Sequence, residues 1–130
     1  MIKEISVKST DKIQFIDITS RIRAIADQST VTHGFCHIFV PHTTAAITIN
    51  ENADPDVTKD IINALNRLVP LNYGYSHSEG NSAAHIKAGL LGFSLSVFIQ
   101  DKTLALGTWQ GIYFAEFDGP RTRKVWVKII

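Results

Sequence analysis

Alternation of apolar and polar residues at the end of the chain constrains the fold more than any other sequence feature. Over residues 123–130, Val125, Val127 and Ile129 alternate with polar or amphipathic side chains. Successive side chains of a β-strand point to opposite faces, so this pattern predicts a strand with one buried face. Similar segments predict strands over residues 2–8, 12–18, 34–40, 45–49, 93–99, 103–106 and 109–117. The chain is therefore expected to be rich in β-structure.

Turn and cap signals separate these strands. Ser9, Thr10 and Asp11 lie between the first two segments and predict a hairpin. Asp54 followed by Pro55 predicts a helix start, because an acidic cap and then proline suit the first helical turn. The predicted buried stripe of that helix consists of Val57, Ile61, Leu65 and Leu68.

Two further short helices are predicted. One covers residues 82–91, with Asn81 or Ser82 as its cap and Gly92 at its end, and the other begins at Thr19. Helices do not separate every pair of strands, so the pattern favours a mostly antiparallel β-sandwich of the α+β class over a doubly wound sheet. The length of 130 residues predicts one domain over the whole chain.

Composition narrows the expected partners and compartment. The chain has 13 basic and 12 acidic residues, which gives no electrostatic reason to expect nucleic acid or an anionic membrane as a partner. Cys36 is the only cysteine, so no intrachain disulfide is expected. No apolar run approaches the roughly 20 residues that span a bilayer, and no secretory signal is recognised. We therefore predict a soluble, cytoplasmic protein.

Three histidines and one glutamate indicate a metal site. His77, Glu79 and His85 lie within nine positions, and His42 directly follows a predicted strand and Pro41. Neutral imidazole is the commonest protein ligand for divalent transition-metal ions, and carboxylates serve beside it. The spacing matches no standard zinc signature, so a hydrogen-bonded polar cluster without metal is the alternative.

Two glutamates are predicted to take part in acid–base chemistry. Glu79 suits the role of a fourth metal ligand, a partner that orients an imidazole, or a general base. Glu51 follows His42 in the sequence and has no evident structural role, whereas Asp54 is explained as a helix cap.

Basic and neutral polar residues predict a phosphate site next to these histidines. Arg121 and Arg123 carry guanidinium groups, whose planar fork donates two parallel hydrogen bonds to phosphate; solvated loop charges are the alternative. The start of the predicted helix at 82–91 offers free amides and a favourable dipole. Asn81 and Thr44 supply neutral hydrogen bonds in this prediction.

Three ordered motifs resemble the YjbQ-type family, also called secondary thiamine-phosphate synthases. They read HTTAAITINENADPDV, HSEGNSAAHIKAGLLG and LGTWQGIYFAEFDGPRTRKV, and the resemblance covers the chain from about residue 30 to 130. The resemblance implies a jelly-roll-like β-sandwich core and a homotrimer.

The resemblance also implies a metal site at His42, His77 and His85, and weak thiamine-phosphate synthase activity. That reaction joins an aminopyrimidine methyl diphosphate to a thiazole phosphate and releases diphosphate. Charge on the leaving group needs stabilisation, which a divalent cation and Arg121 or Arg123 are suited to provide. Three imidazoles favour zinc, while diphosphate departure makes magnesium the second choice of cofactor.

Two other functions fit the same residues. One is a metal-dependent hydrolase of a phosphorylated small molecule, in which Glu79 or Glu51 is the base. The other is a metal- or ligand-binding protein without catalysis. Chelator-sensitive phosphate release, thiamine phosphate formation, and metal binding without either reaction distinguish the three.

Overall fold

The computed structural model describes all residues from 1 to 130. It contains eight strands and three helices. In chain order these are β1 (Lys3–Lys8), β2 (Gln14–Asp17), α1 (Thr19–Gln28), β3 (His33–Phe39), β4 (Ala45–Glu51), α2 (Pro55–Leu68), α3 (Ser82–Leu91), β5 (Ser94–Gln100), β6 (Thr103–Leu104), β7 (Gln110–Glu116) and β8 (Thr122–Ile129).

The strands form two antiparallel sheets. The first has the order β1-β8-β3-β5-β6, and the second has the order β2-β7-β4. This arrangement confirms the predicted α+β class with a mostly antiparallel sandwich. The predicted hairpin of the first two strands is wrong, because β1 pairs with β8 in one sheet and β2 pairs with β7 in the other.

The main core lies between the two sheets and is closed by α1. Ile38, Val125 and Val127 come from the first sheet, and Ile47 and Phe114 come from the second. Every second side chain of a strand points to the same face of the sheet, and in these strands the apolar side chains are the ones that point inward. A smaller cluster of Ala46, Ala84, Ala88, Ala115 and Phe117 lies on the other face of the second sheet, where α3 packs.

The helices begin where the sequence signals predict. Asp54 Oδ1 accepts a hydrogen bond of 2.9 Å from the amide of Asp56, which caps α2. The apolar stripe of α2 is less buried than expected: no residue of this helix is fully buried, and Leu68 is 75% exposed. α2 therefore packs more loosely than α3. None of the three helices has the length and apolar composition needed to cross a bilayer.

Candidate functional site

A polar pocket of about 440 Å³ lies where the loops before β4, α3 and β8 meet. It brings together most of the predicted site residues. Its walls are Pro41, His42, Thr43, Thr44, His77, Glu79, Asn81, His85, Asp118, Arg121 and Arg123. These come from chain segments that are far apart in sequence, so only the folded sandwich creates the pocket.

Arg123 forms the floor of the pocket through a buried ion pair with Glu116. Nε donates to Glu116 Oε1 at 2.9 Å and Nη2 donates to Oε2, while Nη2 also donates to Thr44 Oγ1 at 2.8 Å. Nη1 makes no hydrogen bond within the protein and is not sealed from solvent, so it faces the pocket. Arg123 is therefore held rigidly with one nitrogen available to a ligand. The Thr44 hydroxyl oxygen accepts this hydrogen bond and so helps to hold Arg123 in place.

Glu116 is a second buried charge whose environment stabilises the carboxylate. Burial raises its pKa, but hydrogen bonds from Arg123, Ser9 and the amide of Asp118 outweigh burial and hold the pKa below its ordinary value. The Ser9 hydroxyl also accepts a hydrogen bond of 2.8 Å from the amide of Arg121. The end of β1 is thus tied to the loop before β8.

Asp118 connects the loop before β8 to the start of α3. It accepts hydrogen bonds from Asn81 Nδ2 at 2.9 Å and from Arg121 Nη2 at 3.0 Å, and Lys12 Nζ lies 3.8 Å from Oδ1. Burial raises the pKa of Asp118, and these contacts from Asn81, Arg121 and Lys12 lower it below its ordinary value overall. A Cβ at Gly119 would collide with the carbonyl of Asp11, so only glycine allows this close approach.

Arg121 lines the pocket with part of its guanidinium already engaged. Nε donates to the carbonyl of Asp118 at 2.7 Å, in addition to the bond from Nη2 to the Asp118 carboxylate. Nη1 has no partner in the protein. Arg121 and Arg123 therefore each present one free nitrogen instead of the open two-pronged fork expected from the sequence.

Asn81 occupies the cap position of α3 without capping it. Its backbone carbonyl accepts bonds from the amides of Ala84 and His85, whereas its side chain is turned toward Asp118. Oδ1 is buried and has no hydrogen-bond donor. The Asn81 side chain therefore holds Asp118 through Nδ2 and does not present its oxygen to the pocket. The predicted contact of Asn81 to phosphate stays a prediction.

The three histidines lie in the same pocket, but their nitrogens are not arranged to hold a metal ion. The rings of His77 and His85 have centroids 5.4 Å apart and are nearly perpendicular. His42 Nε2 accepts a hydrogen bond of 2.9 Å from the amide of Lys124. A neutral imidazole that accepts at Nε2 carries its proton on Nδ1, so neither nitrogen is free. The donor types fit a divalent ion, and ligation by His42 requires its Nε2 to release the amide of Lys124.

The environment of His42 favours the neutral ring that ligation needs. Burial lowers its pKa below the ordinary value, and the nearby positive charge of Arg123 lowers it further. The formal charges on the walls also cancel, because Arg121 and Arg123 are balanced by Glu79 and Asp118. The protein alone therefore offers an anion little net attraction, which a divalent ion would supply.

Glu51 does not belong to this pocket. It pairs with Gln110 at the end of β4, whereas Ala45 pairs with Glu116 at the end next to the pocket. A strand rises about 3.3 Å per residue, so roughly 20 Å separates the two ends. The prediction that Glu51 acts beside His42 is wrong. Glu79 has no ion-pair or hydrogen-bond partner and remains the available base.

The sequence did not identify Glu116 as the residue that holds Arg123. One signal was present: Glu116 is the only charged residue in the otherwise apolar run from Ile112 to Phe117, which predicts a buried charge in need of a partner. Thr43 also lines the pocket, and this exposed residue has no side-chain hydrogen-bond partner in the protein.

Comparison with known proteins gives a consistent family assignment. The sequence model described as "UPF0047 protein YjbQ-like" matches residues 3–130. The UPF0047 protein MJ1081 of Methanocaldococcus jannaschii is 52% identical over 130 residues, which cover 100% of this chain and 94% of that protein. The UPF0047 protein YugU of Bacillus subtilis is 47% identical, with 100% and 99% covered.

Solved structures agree with this assignment. An uncharacterised YjbQ/UPF0047 protein from Clostridium acetobutylicum superposes with a TM-score of 0.97 at 57% identity, covering 98% of this chain and 99% of the other. A YbjQ-like protein of unknown function from Sulfolobus solfataricus gives a TM-score of 0.95 at 32% identity, with 99% and 95% covered. Together with the motifs in the sequence, these matches show that the chain belongs to the YjbQ-like UPF0047 family.

Proposed function

We propose that this chain is a metal-dependent hydrolase of a phosphorylated small molecule and that the polar pocket is its active site. One observation carries the proposal. The pocket combines three imidazoles with two held guanidinium groups and with Glu79, the only lining carboxylate that has no partner. These groups are the ones that phosphate-ester hydrolysis needs.

Each group has a distinct role in this proposal. His42, His77 and His85 would hold a divalent ion, zinc first and magnesium second, which when bound polarises a phosphoryl oxygen and lowers the pKa of water. The free Nη1 atoms of Arg121 and Arg123 bind the phosphoryl group and stabilise its developing charge. Glu79 accepts the proton of the attacking water, because the other nearby carboxylates are engaged in ion pairs.

Thiamine-phosphate synthase activity is the second candidate, and the resemblance of the three sequence motifs to the secondary thiamine-phosphate synthases supports it. The pocket favours hydrolysis first, because its walls contain no apolar side chain other than the ring of Pro41. Sites for heterocycles are usually lined by apolar and aromatic groups. A weak synthase side reaction is compatible with this view.

Phosphate release from a panel of phosphate esters, with zinc or magnesium added, tests the proposal. We expect turnover that a chelator abolishes and that Glu79→Gln lowers about 100-fold or more, the usual contribution of a general base. Glu51→Gln is the matched control and should retain full activity. Thiamine phosphate formation from the two precursors, without ester hydrolysis, would instead establish the synthase. Stoichiometric metal without either reaction would indicate a binding protein.

The proposal includes a homotrimer located in the cytoplasm. Exposed apolar side chains support self-association: an aromatic face on the first sheet, with Phe35, Phe98 and Trp126, and the separate side chains of Leu68 on α2 and Leu90 on α3. Contact between unlike surfaces produces a ring where the rotation closes, whereas one self-complementary surface produces a dimer. Sedimentation of the purified protein at micromolar concentration measures the state, and a stable monomer would contradict it.

A further inference from the structure

We infer that the substrate of this pocket is a hydroxylated phosphate ester, of the polyol- or sugar-phosphate class, and not the ester of a hydrocarbon alcohol. This inference rests on the proposed function. It concerns the alcohol part of the phosphate ester, whose carbon chain the reaction leaves unchanged. Three features of the pocket carry it.

The first feature is the scarcity of apolar side chains. Among the eleven lining residues, only Pro41 has a side chain made of hydrocarbon alone. An alkyl or aryl group that enters this pocket contacts only the carbon atoms of otherwise polar side chains, and it covers polar groups that need hydrogen bonds. A hydroxylated chain supplies those hydrogen bonds.

The second feature is the fixed position of the phosphate donors. The side chain of Arg123 is 6% exposed and is held by Glu116, with Nη1 free. Arg121 is held by Asp118 through Nε and Nη2, so its Nη1 also remains free. An ionised phosphate accepts hydrogen bonds and donates none, so it satisfies these donors and leaves the acceptors of the pocket unmatched.

The third feature is this set of unmatched acceptors. Glu79 and the Thr43 hydroxyl oxygen line the pocket and have no donor in the protein. A ligand that enters displaces the water around them, and ligand groups that carry their own O–H or N–H replace the lost hydrogen bonds. A hydroxyl suits the pocket better than an ammonium group, because an ammonium would be repelled by the two guanidinium groups and by a bound cation. Hydroxyls close to the phosphate thus match the walls.

Binding of uncleavable phosphonates to the zinc-loaded protein tests the inference by calorimetry. Dihydroxybutylphosphonate is the analogue of glycerol phosphate, butylphosphonate has the same length and charge without hydroxyls, and benzylphosphonate adds an aromatic ring. We expect the dihydroxy compound to bind about tenfold more tightly than either of the others, as two added hydrogen bonds imply. Thr43→Val, which keeps the shape of the side chain, should reduce that preference severalfold without changing the affinity for butylphosphonate. Thr108→Val, at an exposed threonine outside the pocket, should leave the preference intact.

The outcomes separate this inference from the proposed function. Equal affinities for the three compounds, or tighter binding of benzylphosphonate, would overturn the hydroxylated substrate while leaving a phosphate hydrolase standing. Failure of all three and of inorganic phosphate to bind would overturn both. A preference that Thr43→Val does not alter would also overturn the inference, because the preference would then not arise from the acceptors of this pocket.

Discussion

Arg123 and Glu116 form a two-point ion pair directly beneath the pocket, with side chains 6% and 0% exposed. The pair joins β8 to β7 across the sandwich, since these strands belong to different sheets. The pair positions the guanidinium of Arg123, which is the only charged nitrogen group of the pocket with an almost fully enclosed side chain. The stability of the fold and the geometry of the site thus depend on the same two residues.

Removing one partner of this pair should destabilise the protein strongly. We expect Glu116→Ala to lower the free energy of unfolding by about 3–5 kcal/mol, because it leaves the Arg123 charge buried and unpaired. Urea denaturation measures the loss. The double variant Glu116→Leu with Arg123→Met is the control and should recover much of the stability, since it removes both charges. A loss below about 1 kcal/mol for Glu116→Ala would show that water reaches Arg123 freely.

Stability should fall at acidic pH because of Glu116 and Asp118. Both carboxyl pKa values lie below their ordinary values of 4.5 and 3.8 in the folded protein. Their contribution is therefore fully present above those values and is lost as pH falls through the lower folded pKa values. Urea midpoints between pH 7 and pH 2 measure this dependence. Asp118→Asn should flatten it, and unchanged stability across the range would contradict the assignment.

Metal binding should depend on His85 and not on histidines elsewhere. His85→Ala is expected to lose most of the bound zinc while remaining folded, because the core does not include this residue. Elemental analysis of the purified variant measures the metal. His37→Ala, on an exposed position of β3, is the matched control and should keep a full complement.

Zinc binding should also change hydrogen exchange at one backbone amide, and this measurement does not depend on activity. The His42 ring has to release the amide of Lys124 before it can ligate. Loading with zinc should therefore increase hydrogen exchange at that amide in the native protein. Full zinc occupancy with undiminished protection of Lys124 would exclude His42 as a ligand, and full occupancy in His85→Ala would exclude His85.

Phosphate binding should require both the metal and Arg121. The formal charges of the walls cancel, so we expect weak binding of inorganic phosphate to the metal-free protein. With zinc bound, Arg121→Ala should weaken phosphate by about 1.5–3 kcal/mol, the value of a hydrogen bond to a charged group. Calorimetric titration measures both effects. Arg23→Ala is the control, because Arg23 lies outside this pocket. Equal affinity in Arg121→Ala and the unaltered protein would make Arg121 a structural residue that only fixes Asp118.

Local signals predicted helices and strands well, and they failed where pairing is long-range. Asp54 and Pro55 predict the start of α2 because capping depends on neighbours in sequence. The partner of β1 is β8, where Glu4 lies opposite Trp126, and no local pattern encodes such a pairing. A turn signal at residues 9–11 therefore produced a hairpin prediction, although this turn connects two sheets.

The sequence predicted which residues form the site better than it predicted the contacts between them. The histidines, Glu79 and the arginines were found because each residue type has a characteristic chemistry. Glu51 was misplaced because nearness to His42 in sequence was taken as nearness in space, although His42 precedes the first residue of β4 and Glu51 is the last residue of this strand.

The place of β8 between β1 and β3 has a consequence for how the protein folds. The five-stranded sheet cannot form until this strand, the eighth in chain order, inserts between β1 and β3. Contacts of such large sequence separation slow folding, because a long loop must be closed before they form. Arg123 and the amide that His42 contacts both arrive with β8. Because these groups come with β8, we expect the pocket to form only when β8 has docked between β1 and β3.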